Sequence, residues 1–200
     1  AAHVEFLRNE RRFRPATTAI RQRAPLYTRP ATPDGDFSPR DAGQGITFMR
    51  IRHVAATDLN VFPLCLGGNV FGWTADEAQS FAVLDAYASA GGNFIDTADV
   101  YSAWMPNHVG GESETIIGRW MASRGNRHRM VIATKVGMLA GLKGLSADTI
   151  RKAADASLLR LGIDRIDLYY AHADDPHTPL SETLNAFDAL VKEGKVRYIA

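Results

Sequence analysis

From Met49 onward, short apolar runs alternate with stretches where apolar residues recur every three or four positions. Short runs bounded by glycine or polar turns read as strands; the 3.6-residue recurrence reads as one face of a helix. On this basis residues 50–54 and 59–62 form two short strands around the turn Ala56-Thr57-Asp58. Pro63-Leu64-Cys65-Leu66, closed by Gly67-Gly68, reads as a buried strand. Thr74-Ala75-Asp76-Glu77 carries a capping-box signature and opens a helix bearing Phe81, Leu84 and Ala88, which Gly91-Gly92 stops. Asn93-Phe94-Ile95-Asp96 is the next strand, and Ile116, Ile117, Trp120 and Met121 share one face of a helix ended by Gly125. Residues 130–136 form a strand, followed by a helix from Ser146 through Ile150, Ala154, Leu158 and Leu161 to Gly162. Residues 166–171 are a strand, Leu180, Leu184, Phe187 and Val191 mark a helix ending at Gly194, and residues 196–200 are a strand.

Successive strands begin about 30–37 residues apart, the length of a βαβ unit. Their runs are apolar on both faces, as in buried parallel sheets. An α/β class follows, and two architectures fit it: an open doubly wound sheet or a (β/α)8 TIM barrel. A dinucleotide-binding open sheet would place G-x-G-x-x-G after its first strand. This chain has Gly67-Gly68-Asn69-Val70-Phe71-Gly72, which does not match. A barrel takes about 250 residues, and residues 49–200 supply about five strands and four helices of one. In such an incomplete barrel the inward side chains of Phe94, Val131 and Leu168 are expected to face a gap.

Composition narrows the classes. Charge is nearly balanced, 23 Lys+Arg against 22 Asp+Glu, so no global field favours nucleic acid or acidic membranes. Cys65 is the single cysteine, which excludes an internal disulfide framework and suits a cytoplasmic protein. It reads as a buried filler. No apolar run reaches the ~18–20 residues of a membrane span. Residues 1–48 differ from the rest: they hold eight Arg, no Lys, five acids and five of the nine Pro. Three readings of this stretch compete: a non-native extension ahead of a start at Met49, a linker or domain end, and a targeting peptide. All three predict disorder.

The chemistry clusters at strand ends. Asp96, Lys135 and His172 each terminate an otherwise apolar strand, and Tyr101 lies in the loop after Asp96. In a parallel sheet all carboxy-terminal strand ends share one rim, with neighbouring strands ~4.8 Å apart. In (β/α)8 enzymes that rim carries catalysis. An Asp–Lys pair can hold a tyrosine hydroxyl, and the ammonium favours phenolate over phenol. Tyr101 then becomes a proton donor to a carbonyl oxygen receiving hydride, with His172 orienting that carbonyl. His172 with Asp174, Asp175 and His177 could instead ligate a metal; more simply, Asp174, Asp175, Pro176 and Pro179 form the loop after their strand. Trp104 walls a substrate pocket or only covers the loop. Gly110-Gly111 with Glu112 and Glu114 begins a helix, whose dipole favours the acids.

The segments 91–101 (Gly-Gly-Asn-Phe-Ile-Asp-Thr-Ala-Asp-Val-Tyr), 110–114 (Gly-Gly-Glu-Ser-Glu), 131–137 (Val-Ile-Ala-Thr-Lys-Val-Gly) and 166–172 (Ile-Asp-Leu-Tyr-Tyr-Ala-His) resemble the aldo-keto reductase family. The closest branch holds bacterial reductases and potassium-channel beta subunits. The resemblance implies a (β/α)8 barrel, bound NADP(H), and Asp96, Tyr101, Lys135 and His172 as the catalytic tetrad. It also implies that the Gly68-Asn69 backbone and Asp96 approach the nicotinamide. Residues 49–200 then correspond to the amino-terminal part of the barrel, without the later segments that grip the cofactor phosphates. The 200-residue chain alone is expected to be catalytically silent. The parent activity would be NADPH-dependent reduction of small-molecule aldehydes or ketones. The alternative is a redox-linked regulatory subunit that binds NADP(H) with little turnover. A metal-dependent barrel enzyme is a third reading.

Overall fold

The computed structural model describes residues 51–54 and 56–200. The expectations for residues 1–48, and for Met49 as a start, lie outside the described residues. A hairpin comes first. β1 (Arg52–His53) pairs antiparallel with β2 (Asn60–Val61) across the turn that includes Ala56, Thr57 and Asp58. Then follow β3 (Leu66–Gly67), α1 (Glu77–Ser89), β4 (Phe94–Asp96), α2 (Glu112–Arg124), β5 (Val131–Val136), α3 (Ala147–Leu161), β6 (Ile166–Ala171), α4 (Leu180–Lys192) and β7 (Val196–Ile199). The strands β3 to β7 lie in chain order in one all-parallel sheet. That order, with a helix between each pair, is five strands of a (β/α)8 barrel rather than a doubly wound sheet, whose strand order reverses.

Helix boundaries follow side-chain chemistry. Asp76 caps α1 by accepting from the Gln79 N–H at 2.8 Å, while Gln79 Oε1 accepts from the Asp76 N–H at 3.0 Å. The capping box is therefore Asp76 with Gln79, two residues later than the Thr74–Glu77 reading. Ser146 caps α3 through the Thr149 N–H, and Gly162 ends it in a left-handed conformation.

One apolar cluster, including Leu84, Ile95, Ile117, Trp120 and Ile132, seats α1 and α2 on β4 and β5. A second, including Ile150, Tyr169, Phe187 and Leu190, seats α3 and α4 on β5 to β7. At Gly118 of α2, an added Cβ would stand 2.6 Å from the carbonyl oxygens of both Arg160 and Leu161. The helix touches the end of α3 backbone to backbone there, which only glycine permits.

Two expectations are corrected. Pro63, Leu64 and Cys65 are exposed, and the strand is Leu66–Gly67. Among the described strands β3 pairs only with β4, so its lead-in lacks the second flanking strand that would bury it. Cys65 is therefore not a buried filler. Nor do Val131 and Leu168 face a gap: both are buried. The hairpin lies under the sheet, with Leu59 and Val61 packed on Val131, and Phe94 and Tyr198 against them. Asp58 in its turn accepts from Arg197 and from the Tyr198 hydroxyl.

Candidate active site

The register of the sheet sets which side chains meet. Asp96 lies beside Ala133, two residues before Lys135 on β5, and Lys135 lies beside Tyr170 on β6. Past the strand ends the ladder continues: Thr97 N–H donates to Ala133 O at 2.9 Å, Asp99 N–H to Lys135 O at 3.3 Å, and His172 N–H to Val136 O at 2.9 Å. The Tyr101 N–H closes a turn onto Ala98 O at 3.2 Å. This turn brings Tyr101 back over the end of β5.

Lys135 Nζ donates to Asp96 Oδ2 at 2.7 Å, to Thr97 O at 2.7 Å and to the Tyr101 hydroxyl oxygen at 2.9 Å. The Tyr101 hydroxyl donates to Asp96 Oδ2 at 3.4 Å, a long contact that holds its proton loosely. The ammonium also lies 4.6 Å from the Tyr101 ring centre. The His172 ring meets the Tyr101 ring edge to face at 6.0 Å. Its Nδ1 is buried and has no hydrogen-bond partner among the described residues. Burial, then the nearby Lys135 cation, hold the imidazole below its ordinary range, against the opposing pull of Asp96. Thus Asp96, Tyr101, Lys135 and His172, drawn from three strand ends and the loop after the first of them, converge on one rim.

Gly68 behaves differently from a ligand-facing backbone. Its N–H donates to Asp96 O at 2.7 Å, and its carbonyl accepts from Ser113 Oγ at 2.7 Å. A Cβ there would stand 2.8 Å from Ser113 Oγ and 3.2 Å from Asp96 O. Gly68 is needed to let β3 close onto α2 and β4. Asn69 next to it is exposed. A Cβ on Gly67 would meet only Asn69 Oδ1, at 3.8 Å. This edge thus presents Gly67 with room beside it, an exposed carboxamide and the partly exposed Asp96 carboxylate.

Sequence reasoning named Trp104 but missed its partner Trp73, Tyr170 and the groove beside them. Trp73 meets Trp104 edge to face at 5.3 Å, and Trp104 meets Tyr101 at 6.3 Å. Both tryptophans are nearly half exposed, so they form an aromatic wall rather than core. Tyr170, in register with Lys135, has its hydroxyl pushed up by burial and by the Asp96 carboxylate. An open groove of about 660 Å³, lined partly by Met138, Lys143, Asp174, Pro176 and His177, continues along the rim; none of the four converging residues lines it. Only the apposition of distant loops creates these features, and no local pattern signals it.

Asp175 serves its own loop. Its oxygens accept from Leu145 N–H at 2.8 Å, Thr178 Oγ1 at 2.7 Å and His177 N–H at 3.0 Å. These bonds, Leu145 first, hold its carboxyl down at about 2. Among the described residues no group of three His, Cys, Asp or Glu is arranged to hold a metal.

Comparison with known proteins decides the family. The profile described as Aldo/keto reductase family matches residues 63–200. The chain belongs to the aldo/keto reductase family. It is 39% identical over 160 residues to the uncharacterized oxidoreductase YrpG of Bacillus subtilis (76% of this chain, 48% of that protein). It is 39% identical over 163 residues to norsolorinic acid reductase B of Aspergillus parasiticus (72% of this chain, 40% of that protein). The structure of the aldo-keto reductase AKR11C1 from Bacillus halodurans, in its holo form, superposes with a TM-score of 0.65 at 34% identity, covering 76% of this chain and 49% of that one. This reductase-family chain thus spans about half the length of these relatives, as five parallel strands of an incomplete barrel.

Proposed function

We propose that residues 49–200 form the amino-terminal part of an aldo-keto reductase barrel. In this reading they carry the catalytic rim of an NADPH-dependent oxidoreductase reducing aldehydes or ketones to alcohols. The observation that carries this is the contact of the Lys135 ammonium with the Tyr101 phenol at 2.9 Å, beside a hydroxyl proton held only loosely. Bound NADP(H) would supply the hydride to the carbonyl carbon. Gly68, Asn69 and Asp96 line the edge that would hold its nicotinamide, Asn69 by its side chain and Gly68 by keeping β3 close to Asp96. Tyr101 gives its proton to the carbonyl oxygen. Lys135 stabilises the phenolate left behind, which is worth more in a partly desolvated site than in water. Asp96 fixes the ammonium. His172, its charged form disfavoured by burial, orients the carbonyl from the other side. Trp104, backed by Trp73, offers an apolar wall to the substrate. A single cysteine suits the reducing cytoplasm.

The test is loss of NADPH absorbance when an aldehyde or ketone is added to the complete protein, with NADH in parallel. Aldehyde-dependent consumption supports the reading. NADPH binding without consumption by any carbonyl compound would favour a redox-linked binding subunit. No binding of either nucleotide would sink both.

A further inference from the structure

Behind the rim lies a second polar cluster that the proposed chemistry does not use. Asp99 is 0% exposed, and among the described residues neither of its carboxyl oxygens has a hydrogen-bond partner. Glu114 of α2 is equally buried but fully engaged: Oε1 accepts from Thr134 Oγ1 at 2.6 Å and Oε2 from Arg160 Nε at 2.6 Å. Arg160 of α3 spends a further N–H on Ser157. Lys135 of β5 is committed to Asp96, Thr97 O and Tyr101. Tyr169 of β6, whose hydroxyl is also buried and unpartnered, feels the charges of Asp99, Glu114 and Arg160. Two buried carboxyls therefore lie in the field of one guanidinium, which bonds only Glu114 of the two. Glu114 holds it with one short bond and has its other oxygen satisfied by Thr134, so the remaining proton belongs on Asp99. An unpaired buried carboxylate is far more costly than the neutral acid.

We propose that Asp99 is kept as the neutral carboxylic acid and, in that form, seats the segment that presents Tyr101, which makes it a positioning residue for the reaction. The inference rests on Tyr101 being the proton donor. Asp99 sits between the Thr97–Ala133 and Tyr101–Ala98 bonds, and its own N–H bonds Lys135 O. Its side chain enters the layer of Glu114 and Arg160. Ionisation there would place a second negative charge beside Glu114 with no uncommitted cation against it among the described residues, and the segment would have to move out to hydrate it. Tyr101, two residues on, would then leave Lys135 Nζ. The direction of titration agrees. Burial, then the Glu114 carboxylate, push the Asp99 carboxyl up to about 7, against the pull of Arg160 and Lys135. A carboxyl raised in the folded state binds more protons there than in the unfolded chain. Stability is therefore lost as pH rises from about 4 through about 7.

The experiment is a carboxyl-carbon NMR titration of the full chain labelled in aspartate, followed through the Tyr101 ring signal and repeated in Asp99→Asn. One aspartate should titrate with a midpoint near 7 and vanish in the variant, and the Tyr101 signal should shift with that midpoint only in wild type. In the complete enzyme, kcat should fall about tenfold per pH unit above that midpoint. Asp99→Asn, a neutral isostere, should keep kcat within about threefold at pH 6 and lose the alkaline fall, whereas Asp99→Ala should lower kcat at every pH. If no aspartate titrates between about pH 6 and 8, or if the Asn variant keeps the alkaline fall, the proposal is overturned. If the Asn variant fails to fold, the wild-type midpoint and its Tyr101 shift decide. If the enzyme reduces no carbonyl at any pH, the reaction reading fails, and Asp99 is still judged by the two titrations.

Discussion

Asp96 and Asp167 lie on strands separated only by β5, at opposite ends of the sheet, and each pairs with cations. Asp167, 3% exposed, accepts from Arg197 at 2.9 Å on Oδ1, and from Arg127 at 2.8 Å and the Ile132 N–H at 2.9 Å on Oδ2. Both of its oxygens are taken, and the network continues through Arg197 to Asp58 in the hairpin. Asp96 pairs with Lys135 at 2.7 Å, but its surroundings keep spare valence. The Tyr101 proton is loosely held, His172 Nδ1 has no partner among the described residues, and two tryptophans stand open beside them. The same residue types thus make a closed joint at one end and a receptive surface at the other. In barrels, the amino-terminal face carries stability and the carboxy-terminal face chemistry.

The sharpest way to break this contrast is Tyr101→Phe in the complete protein. Turnover should fall about 10²–10⁴-fold while NADPH affinity changes little, because the hydroxyl donates a proton but is not needed for binding. Near-wild-type turnover would remove the rim from its proposed role. At the other end, Asp167→Ala should destabilise the chain by about 3 kcal/mol, measured by urea unfolding. It removes the carboxylate from the Ile132 N–H and from two guanidiniums, which keep only Asp58 and backbone carbonyls. The value sits low in the range for broken buried pairs because both arginines are partly exposed. A loss under about 1 kcal/mol would make the joint decorative. Gly118→Ala tests neither end but the yoke between α2 and α3. Backbone clashes at 2.6 Å should cost about 1–3 kcal/mol, and unchanged stability would mean the helices separate freely. The smallest effect concerns His172. Its folded-state titration is lowered, so it contributes stability above about pH 6.5 that is lost as pH falls below it. An imidazole NMR midpoint at or above the ordinary value would show that the rim accepts a second cation beside Lys135.

How far the sequence spoke depended on how local each determinant was. The strand–helix alternation, the Ser146 cap and the apolar face of Ile116, Ile117, Trp120 and Met121 were legible because a few adjacent residues decide them. The convergence of Asp96, Tyr101, Lys135 and His172 was legible because parallel strands align their ends. The exposed lead-in Pro63-Leu64-Cys65 was not, since an apolar run does not state whether both its neighbours are present. The placement of the predicted hairpin beneath Val131 was not either: the Arg197–Asp58 contact that anchors it joins residues 139 positions apart. Asp99 stood in a quoted motif without a role, because only the folded chain places Glu114 and Arg160 behind it.

Lys135 has one more consequence. A free lysine amine meeting an aldehyde or ketone attacks it through its lone pair and traps it as an imine. Here all three N–H bonds of the amine point at fixed acceptors: a carboxylate, a backbone carbonyl and a phenol. To expose a lone pair the side chain would have to release at least one of them, and the backbone carbonyl of Thr97 cannot follow it. The lysine is thereby disarmed as a nucleophile. In the proposed reduction, a carbonyl compound beside this lysine would leave without ever being bonded to the protein.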